Sequence, residues 1–382
     1  MENTLNKRYD IHKTFEYNKE KGPFERISDK NKRIKKILGN YGIMADFFGY
    51  KTNLPIGVAA GPLYNEKYMK GAAKDGFEVI TWKTFRSIHR LAHASDGKYI
   101  GHNIVFIPTT KINEKSIGNK VVGSLDYKGK IENMSITNSF GMPSDTIPEW
   151  LPSIVRLEQY AKEKQKQIIT SVVGTPKENG TIHDLALDYA FLARIAEFTG
   201  SKIIELNLSC PNVSGAEGSI FKDIENSLII VTNTRKFLHN SNTKLLVKMG
   251  YTYKSYYKDF MDALSPYIDG IVAINTIPME IIDKKGKQAL AGGKNSGTCG
   301  KAILDLAVNA VANLKEAKID LGEKAKHIKI IGCGGVMDAE GFMRHIDAGA
   351  EFVMCATAAL FNPELPLEIA KYINKNKIKK II

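Results

Sequence analysis

Short apolar runs, each too uniformly hydrophobic to keep one face in water, recur along this chain between amphipathic stretches. The runs are Leu54–Ala59, Glu78–Lys83, Gln167–Val173, Lys202–Asn207, Thr243–Lys248, Asp269–Asn275, Ile328–Cys333 and Glu351–Cys355. A strand that is apolar on both faces must be covered on both, which is the situation in parallel sheets with helical crossovers. Asp184–Phe198, Ser219–Leu238, Tyr253–Leu264, Lys301–Leu314 and Asp338–Ala348 read as the helices that do the covering. Eight strands alternating with helices predict an α/β fold, a (β/α)8 TIM barrel, with an open doubly wound sheet as the competing architecture.

Some segments fall outside this repeat. Residues 1–45 read as a charged N-terminal extension with one helix near Asp29–Leu38, residues 46–370 as the barrel, and residues 371–382 as a basic tail. After the second run, more than eighty residues pass before the third, whereas an ordinary connection takes roughly 2–6. Residues 88–135 of this stretch are read as an insertion, with strand-like pieces at Asn103–Ile107, Lys120–Leu125 and Lys130–Ile136 and a helix following at about Pro148–Glu163. A long insertion on the top face is expected to form a lid and one wall of a site.

Composition changes little in this picture. Hydrophobic residues make up 43% and charged residues 25%, ordinary for a globular protein. No run approaches the roughly 18 apolar residues of a membrane span, and the N-terminus lacks a signal-type apolar core. The net charge of +13 invites a nucleic-acid reading. However, residues 1–50 hold 11 basic and 7 acidic side chains, and the tail from Lys371 holds five lysines and no acid. Nine of the thirteen charges therefore sit in terminal segments, which are expected to be solvated. The four cysteines, Cys210, Cys299, Cys333 and Cys355, show no CxxC spacing, which argues against a disulfide framework, a zinc site or an iron–sulfur cluster. A reducing, cytoplasmic setting fits them best.

In a parallel barrel, chemistry gathers at the C-terminal strand ends. Here Lys83 ends the second run, Asn207 the fourth, Lys248 the fifth and Asn275 the sixth; Gly334 and Gly335 follow the seventh, and Ala356 and Thr357 the eighth. The fourth run leads into Asn207-Leu208-Ser209-Cys210-Pro211-Asn212, which sets a thiol between two carboxamides on a turn stiffened by proline. Taken alone, that hexapeptide reads equally well as a strand end with a packed cysteine and turn-forming asparagines. Glycines after the seventh strand expose backbone N–H groups, a small-residue turn at Ala356-Thr357 follows the eighth so that the pair can grip one phosphate, and Ser296-Gly297-Thr298-Cys299-Gly300-Lys301 reads as a third small-residue loop.

With these residues in hand, the chain resembles the dihydroorotate dehydrogenase family of FMN barrel enzymes from about Phe48 to Pro366. Asn207–Asn212 is similar to that family's active-site loop in its cysteine form, which implies Cys210 as the catalytic base. By resemblance, Lys83 contacts both flavin and substrate, and Asn138, Phe140, Gly141 and Met142 stand in the loop that holds the pyrimidine. Asn207, Asn212 and Asn275, with Thr276, are implied to read the edges of the ring. Lys248 is implied to lie beside the flavin. Ala59, Ala60 and Gly61, Thr84, Gly297, Gly300, Gly334, Gly335, Ala356 and Thr357 complete the implied FMN contacts. The implied reaction is oxidation of dihydroorotate to orotate, with hydride passing to flavin N5 while a loop-borne thiolate removes a carbon-bound proton.

The resemblance implies a small-molecule substrate, no nucleic-acid or membrane partner, and a homodimer. Fumarate heads the electron acceptors left open, with a quinone, NAD through a partner subunit, and oxygen. Rival readings are a flavoenzyme acting on another dihydropyrimidine, of the uracil or thymine type, and an RNA-modifying flavoprotein similar to the tRNA-dihydrouridine synthases.

Overall fold

The computed structural model describes residues 8–25, 27–93, 102–108, 111–209 and 216–382. Each of the eight apolar runs is a strand: Ile56–Val58, Val79–Thr81, Gln167–Val172, Ile203–Asn207, Lys244–Met249, Gly270–Ala273, Lys329–Cys333 and Phe352–Cys355. Each pairs in parallel with the next in chain order, and the eighth with the first, so the sheet closes into the expected barrel. Helices at Ile182–Phe198, Ile224–Phe237, Lys254–Leu264, Leu304–Leu321 and Ala339–Asp347 cover its outside. Short polar side chains start several of them. Thr181 and Asp184 cap each other's backbone in a capping box, and Asp223 and Asp338 accept from the first turn of their helices.

Alternate residues of each strand point inward. Val79, Ile169, Ile203, Leu246, Val272, Ile331, Phe352 and Met354 form one apolar cluster inside the barrel. A hairpin of Gly42–Phe47 and Tyr50–Thr52 adds Phe47 to that cluster, with its ring centroid 4.7 Å from that of Phe352.

The terminal segments are packed on the barrel. Strand Lys379–Ile381 pairs in parallel with Gly42–Met44, and helix Leu365–Lys375 buries Ile369, Ala370 and Ile373. At the other end, Tyr9, Ile11 and Phe15 are buried in the main core, and Arg8 reaches both carboxylate oxygens of Asp75 at 2.9 Å. The charges of the tail stay in water as expected: Lys371, Lys375, Lys377 and Lys379 are exposed, while Ile373 between them is buried and holds the chain down.

Above the barrel, a five-stranded sheet runs in the order Phe106–Ile107, Ser135–Asn138, Asn295–Gly300, Ile277–Ile282, Lys120–Val122. It joins the excursion after the second barrel strand to the one after the sixth. Ser296–Gly300, expected as a loop, is therefore strand: Gly297 lies opposite Asn138 and Gly300 opposite Ser135. The small residues serve close backbone approach here, since a Cβ on Gly300 would stand 2.4 Å from the carbonyl oxygen of Met134. Among the described residues, no helix is long and apolar enough to cross a membrane, and no group of three or more His, Cys, Asp or Glu side chains could hold a metal ion.

Candidate active site

A cavity of about 1030 Å³, counting its mouth, opens at the C-terminal ends of the barrel strands. The first strand delivers Ala60 and Gly61 to it, the second Lys83 and Thr84, the fourth Asn207 and the fifth Lys248. Asn275 and Thr276 come from the turn after the sixth strand, Gly334 and Gly335 from that after the seventh, and Ala356 and Thr357 from that after the eighth. The sheet above contributes Asn138, Cys299 and Gly300, and the turn after Asn138 contributes Phe140 and Met142.

Three expected residues stand behind the lining. Ala59 donates its backbone N–H to the carbonyl of Cys355 at 2.9 Å, inside the barrel wall. Gly297 sits within its strand, paired with Asn138. Gly141 makes the turn that carries Phe140 and Met142 inward, with φ at 72° followed by 51° at Met142. A Cβ on Gly141 would fall 2.4 Å from the His93 ring, so both the backbone angle and the space call for glycine. Cys210 and Asn212 lie outside the described residues.

The carboxamides are tied to one another. Asn207 Oδ1 accepts from the Ser209 N–H at 3.2 Å, and its Nδ2 donates to Thr84 Oγ1 at 3.3 Å. Asn275 Nδ2 donates to the Ser209 carbonyl and lies 3.4 Å from Asn207 Oδ1, while Asn275 Oδ1 accepts from the Thr276 N–H at 2.8 Å. The turn that precedes Cys210 is thus anchored to the cavity wall from two strands. Asn138 Nδ2 faces the Cys299 sulfur at 3.9 Å.

Two ammonium groups enter the same space. Lys83 Nζ donates to the Gly61 carbonyl at 3.3 Å and faces the rings of Phe140, Phe15 and Tyr64 at 4.8, 5.7 and 5.7 Å from their centroids. Lys248 is 3% exposed, and its ammonium forms no ion pair with any described residue. A buried, uncompensated cation is costly, so an anion is its natural complement.

The thiols in the cavity are held in their neutral form. Burial pushes Cys299 up to about 11, although Thr357, Asn138 and Lys248 all pull the other way. Burial also raises Cys333, and Lys248 only partly offsets it. Below them, the Gly334–Gly335 turn has φ of 123° and 78°, and the Gly334 carbonyl accepts from His345 Nε2 at 2.9 Å. A Cβ on Gly335 would collide with the backbone of Leu304 at 2.3 Å, so the first turn of the helix from Leu304 packs directly on that glycine. Burial pulls His345 down to about 4, which keeps the imidazole neutral beneath the turn.

Several lining residues were not singled out in the sequence. Cys299 and Cys333 belong to motifs read only for their glycines. Tyr64, whose buried hydroxyl has no partner among the described residues, lies on the loop after the first strand and carries no local signal.

A family model described as dihydroorotate dehydrogenase matches residues 126–376. The dihydroorotate dehydrogenase of Dictyostelium discoideum is 31% identical over 387 residues, spanning 99% of this chain and 100% of that protein. The catalytic subunit of dihydroorotate dehydrogenase B (NAD(+)) from Carboxydothermus hydrogenoformans is 27% identical over 281 residues, 70% of this chain and 84% of the relative. The corresponding subunit from Pyrococcus furiosus is 28% identical over 285 residues, with the same two shares. The first match includes the N-terminal segment that packs on the barrel. A closed eight-stranded barrel, two ammonium groups and a ring of carboxamides at its C-terminal mouth, and matches of this extent agree: the chain belongs to the dihydroorotate dehydrogenase family, whose members are FMN-dependent oxidoreductases acting on CH–CH donors.

Proposed function

We propose that this chain oxidises dihydroorotate to orotate, with Cys210 as the base. One observation carries the reading: Asn138, Asn207, Asn275, Lys83 and Lys248 converge on a single cavity. Three carboxamides and a cation suit a flat, anionic ring that carries several carbonyl and N–H groups. An apolar substrate would leave them unpaired, at about 1–3 kcal/mol for each buried polar group.

The residues present also fit an FMN. The Gly334–Gly335 and Ala356–Thr357 turns are small enough for a phosphate to approach backbone N–H groups, with Gly300 and Gly61 completing the wall. Among the described residues the buried Thr276 hydroxyl has no partner, as a group awaiting a ligand would. When bound, FMN supplies the hydride acceptor. Lys248 would supply a positive charge to offset the one the acceptor gains on reduction, and Lys83, steadied by three rings, would meet the substrate's own negative charge.

The proton is assigned to Cys210 by elimination among the thiols. Cys299 and Cys333 are kept protonated by burial, and Cys355 is raised further still, so none supplies a thiolate near neutral pH. Cys210 directly follows Ser209, whose carbonyl is fixed to Asn275 at the cavity edge. Asn212, two residues further along the sequence, completes the carboxamide set in this reading.

For the electron acceptor we propose fumarate, a small planar dianion that the same ammonium-and-carboxamide lining suits. NAD through a partner subunit, the acceptor in the names of several relatives, is the competing outcome. We further propose a cytoplasmic homodimer. Anaerobic addition of dihydroorotate, dihydrouracil and dihydrothymine to separate samples tests the substrate. Bleaching of the flavin by dihydroorotate alone supports the reading, and bleaching by dihydrouracil or dihydrothymine in preference moves the chain to another dihydropyrimidine.

A further inference from the structure

Glu205 occupies the fourth barrel strand two residues before Asn207, on the same inward face, and is fully buried. An acidic side chain in that position demands an account, because burying polar oxygens is expensive unless they are well partnered. Among the described residues it forms no ion pair. Its Oε1 accepts from Ser171 Oγ at 2.7 Å, and its Oε2 has no partner among those residues. From Ser171 the contacts continue upward. Ser171 Oγ lies 3.0 Å from Thr84 Oγ1, Thr84 Oγ1 lies 3.3 Å from Asn207 Nδ2, and Asn207 Oδ1 lies 3.4 Å from Asn275 Nδ2. Four barrel strands or their ends are joined in one line, from the buried acid to the carboxamides at the cavity.

We propose that Glu205 is a positioning residue that fixes the direction of every hydrogen bond in this line, and with it the face that Asn207 presents to the substrate. The argument is one of proton counting. Glu205 Oε1 is the acceptor in this contact, so the single hydroxyl proton of Ser171 is committed to Glu205. Ser171 Oγ can then only accept from Thr84, which commits the Thr84 proton downward. Thr84 Oγ1 must in turn accept, and the partner it faces is the amide nitrogen of Asn207. The Asn207 carboxamide is therefore held with nitrogen toward the barrel interior and oxygen toward Ser209 and Asn275. Its second N–H is left for the cavity. The Ser209 N–H, which needs an oxygen at 3.2 Å, holds the same orientation from above. Without the acid, the Ser171 hydroxyl is free to turn, the line can reverse, and Asn207 loses its lower anchor.

This inference rests on the reading of Asn207 as a residue that recognises the substrate, and the test separates the two. Orotate binding to the flavin-loaded protein is measured by calorimetry for wild type, Ser171→Ala, Ser171→Thr, Glu205→Leu and the Ser171→Ala/Glu205→Leu double variant, with FMN content and melting temperature recorded for each. Ser171→Ala and Glu205→Leu should each weaken orotate about tenfold, the effect of one ordinary hydrogen bond, with FMN content unchanged. Ser171→Thr, which keeps the hydroxyl, should bind as wild type does. The double variant should be no worse than either single, because both cut the same line. Should Glu205→Leu fail to fold, the Ser171 pair decides alone. Ser171→Ala binding orotate as tightly as wild type, or losses that add in the double variant, would overturn this inference and leave the function standing. Wild-type protein that binds no orotate overturns both.

Discussion

The Lys83 ammonium stands 4.8 Å from the centre of the Phe140 ring, and Phe15, from the N-terminal segment, closes on it from another side at 5.7 Å. The barrel, its insertion and the chain's first helix thus meet at one cation. A cation held against aromatic faces gains about 0.5–2 kcal/mol and loses freedom to swing away. Phe140→Ala should therefore weaken orotate binding by about 2- to 30-fold, and Phe15→Ala should act in the same direction although it lies far off in sequence. Titration of each variant with orotate, monitored through the flavin spectrum, checks this. Phe15→Ala with wild-type affinity would show the N-terminal segment to be mere cover.

Lys248→Ala removes the buried cation. Stabilisation of the reduced, anionic flavin is lost, so the reduction potential should move to more negative values and FMN retention should fall. Potentiometric titration against a reference dye reads the first effect, and FMN released on denaturation reads the second. Unchanged values for both would place the ammonium away from the flavin.

Gly335→Ala tests the turn proposed to hold the phosphate. The residue has φ of 78°, and its new Cβ would meet the Leu304 backbone at 2.3 Å, contacts that cannot relax by turning a side chain. A loss of about 1–3 kcal/mol of stability is expected, together with reduced FMN content. Denaturant unfolding and flavin content together distinguish a displaced helix from a harmless methyl group.

His345 gives a pH signature. Its imidazole protonates at about 4 in the folded protein against 6.5 in the unfolded chain. Between those values the unfolded state binds the extra proton, so this group's contribution to stability falls as pH falls. Asp75 and Glu158, raised by burial to about 6 and about 7, act oppositely and add stability on acidification. The effect is therefore read as a difference. Unfolding free energies of wild type and His345→Asn, measured at pH 7 and pH 5, should draw closer at pH 5 by about 2 kcal/mol. A gap independent of pH would show that His345 is not held neutral.

The barrel was legible in the sequence because each strand is apolar on both faces, a pattern that only a sheet covered on both sides produces. The strand-end residues Lys83, Asn207, Lys248 and Asn275 were legible for the same reason: they are polar groups at the end of runs that otherwise exclude them. What the sequence concealed depends on distant contacts. Ser296–Gly300 looks like a loop because its glycines and small polar residues lack strand propensity, yet pairing with Ser135–Asn138 makes it strand. Phe15 and Tyr64 offer no local sign that they face Lys83, since one comes from before the barrel and the other from its first loop. Glu205 was read only as part of an apolar run. Its importance appears once Ser171, on the neighbouring strand, is placed beside it.

The most direct test of the whole account is the anaerobic mixing of dihydroorotate with wild-type protein and with Cys210→Ala, followed by flavin absorbance over time. The account predicts rapid bleaching in wild type, faster as pH rises and the thiol ionises. In Cys210→Ala it predicts retained FMN, retained orotate binding and bleaching slowed by roughly 100- to 10,000-fold. A Cys210→Ala protein that bleaches at the wild-type rate, with the same dependence on pH, would contradict it.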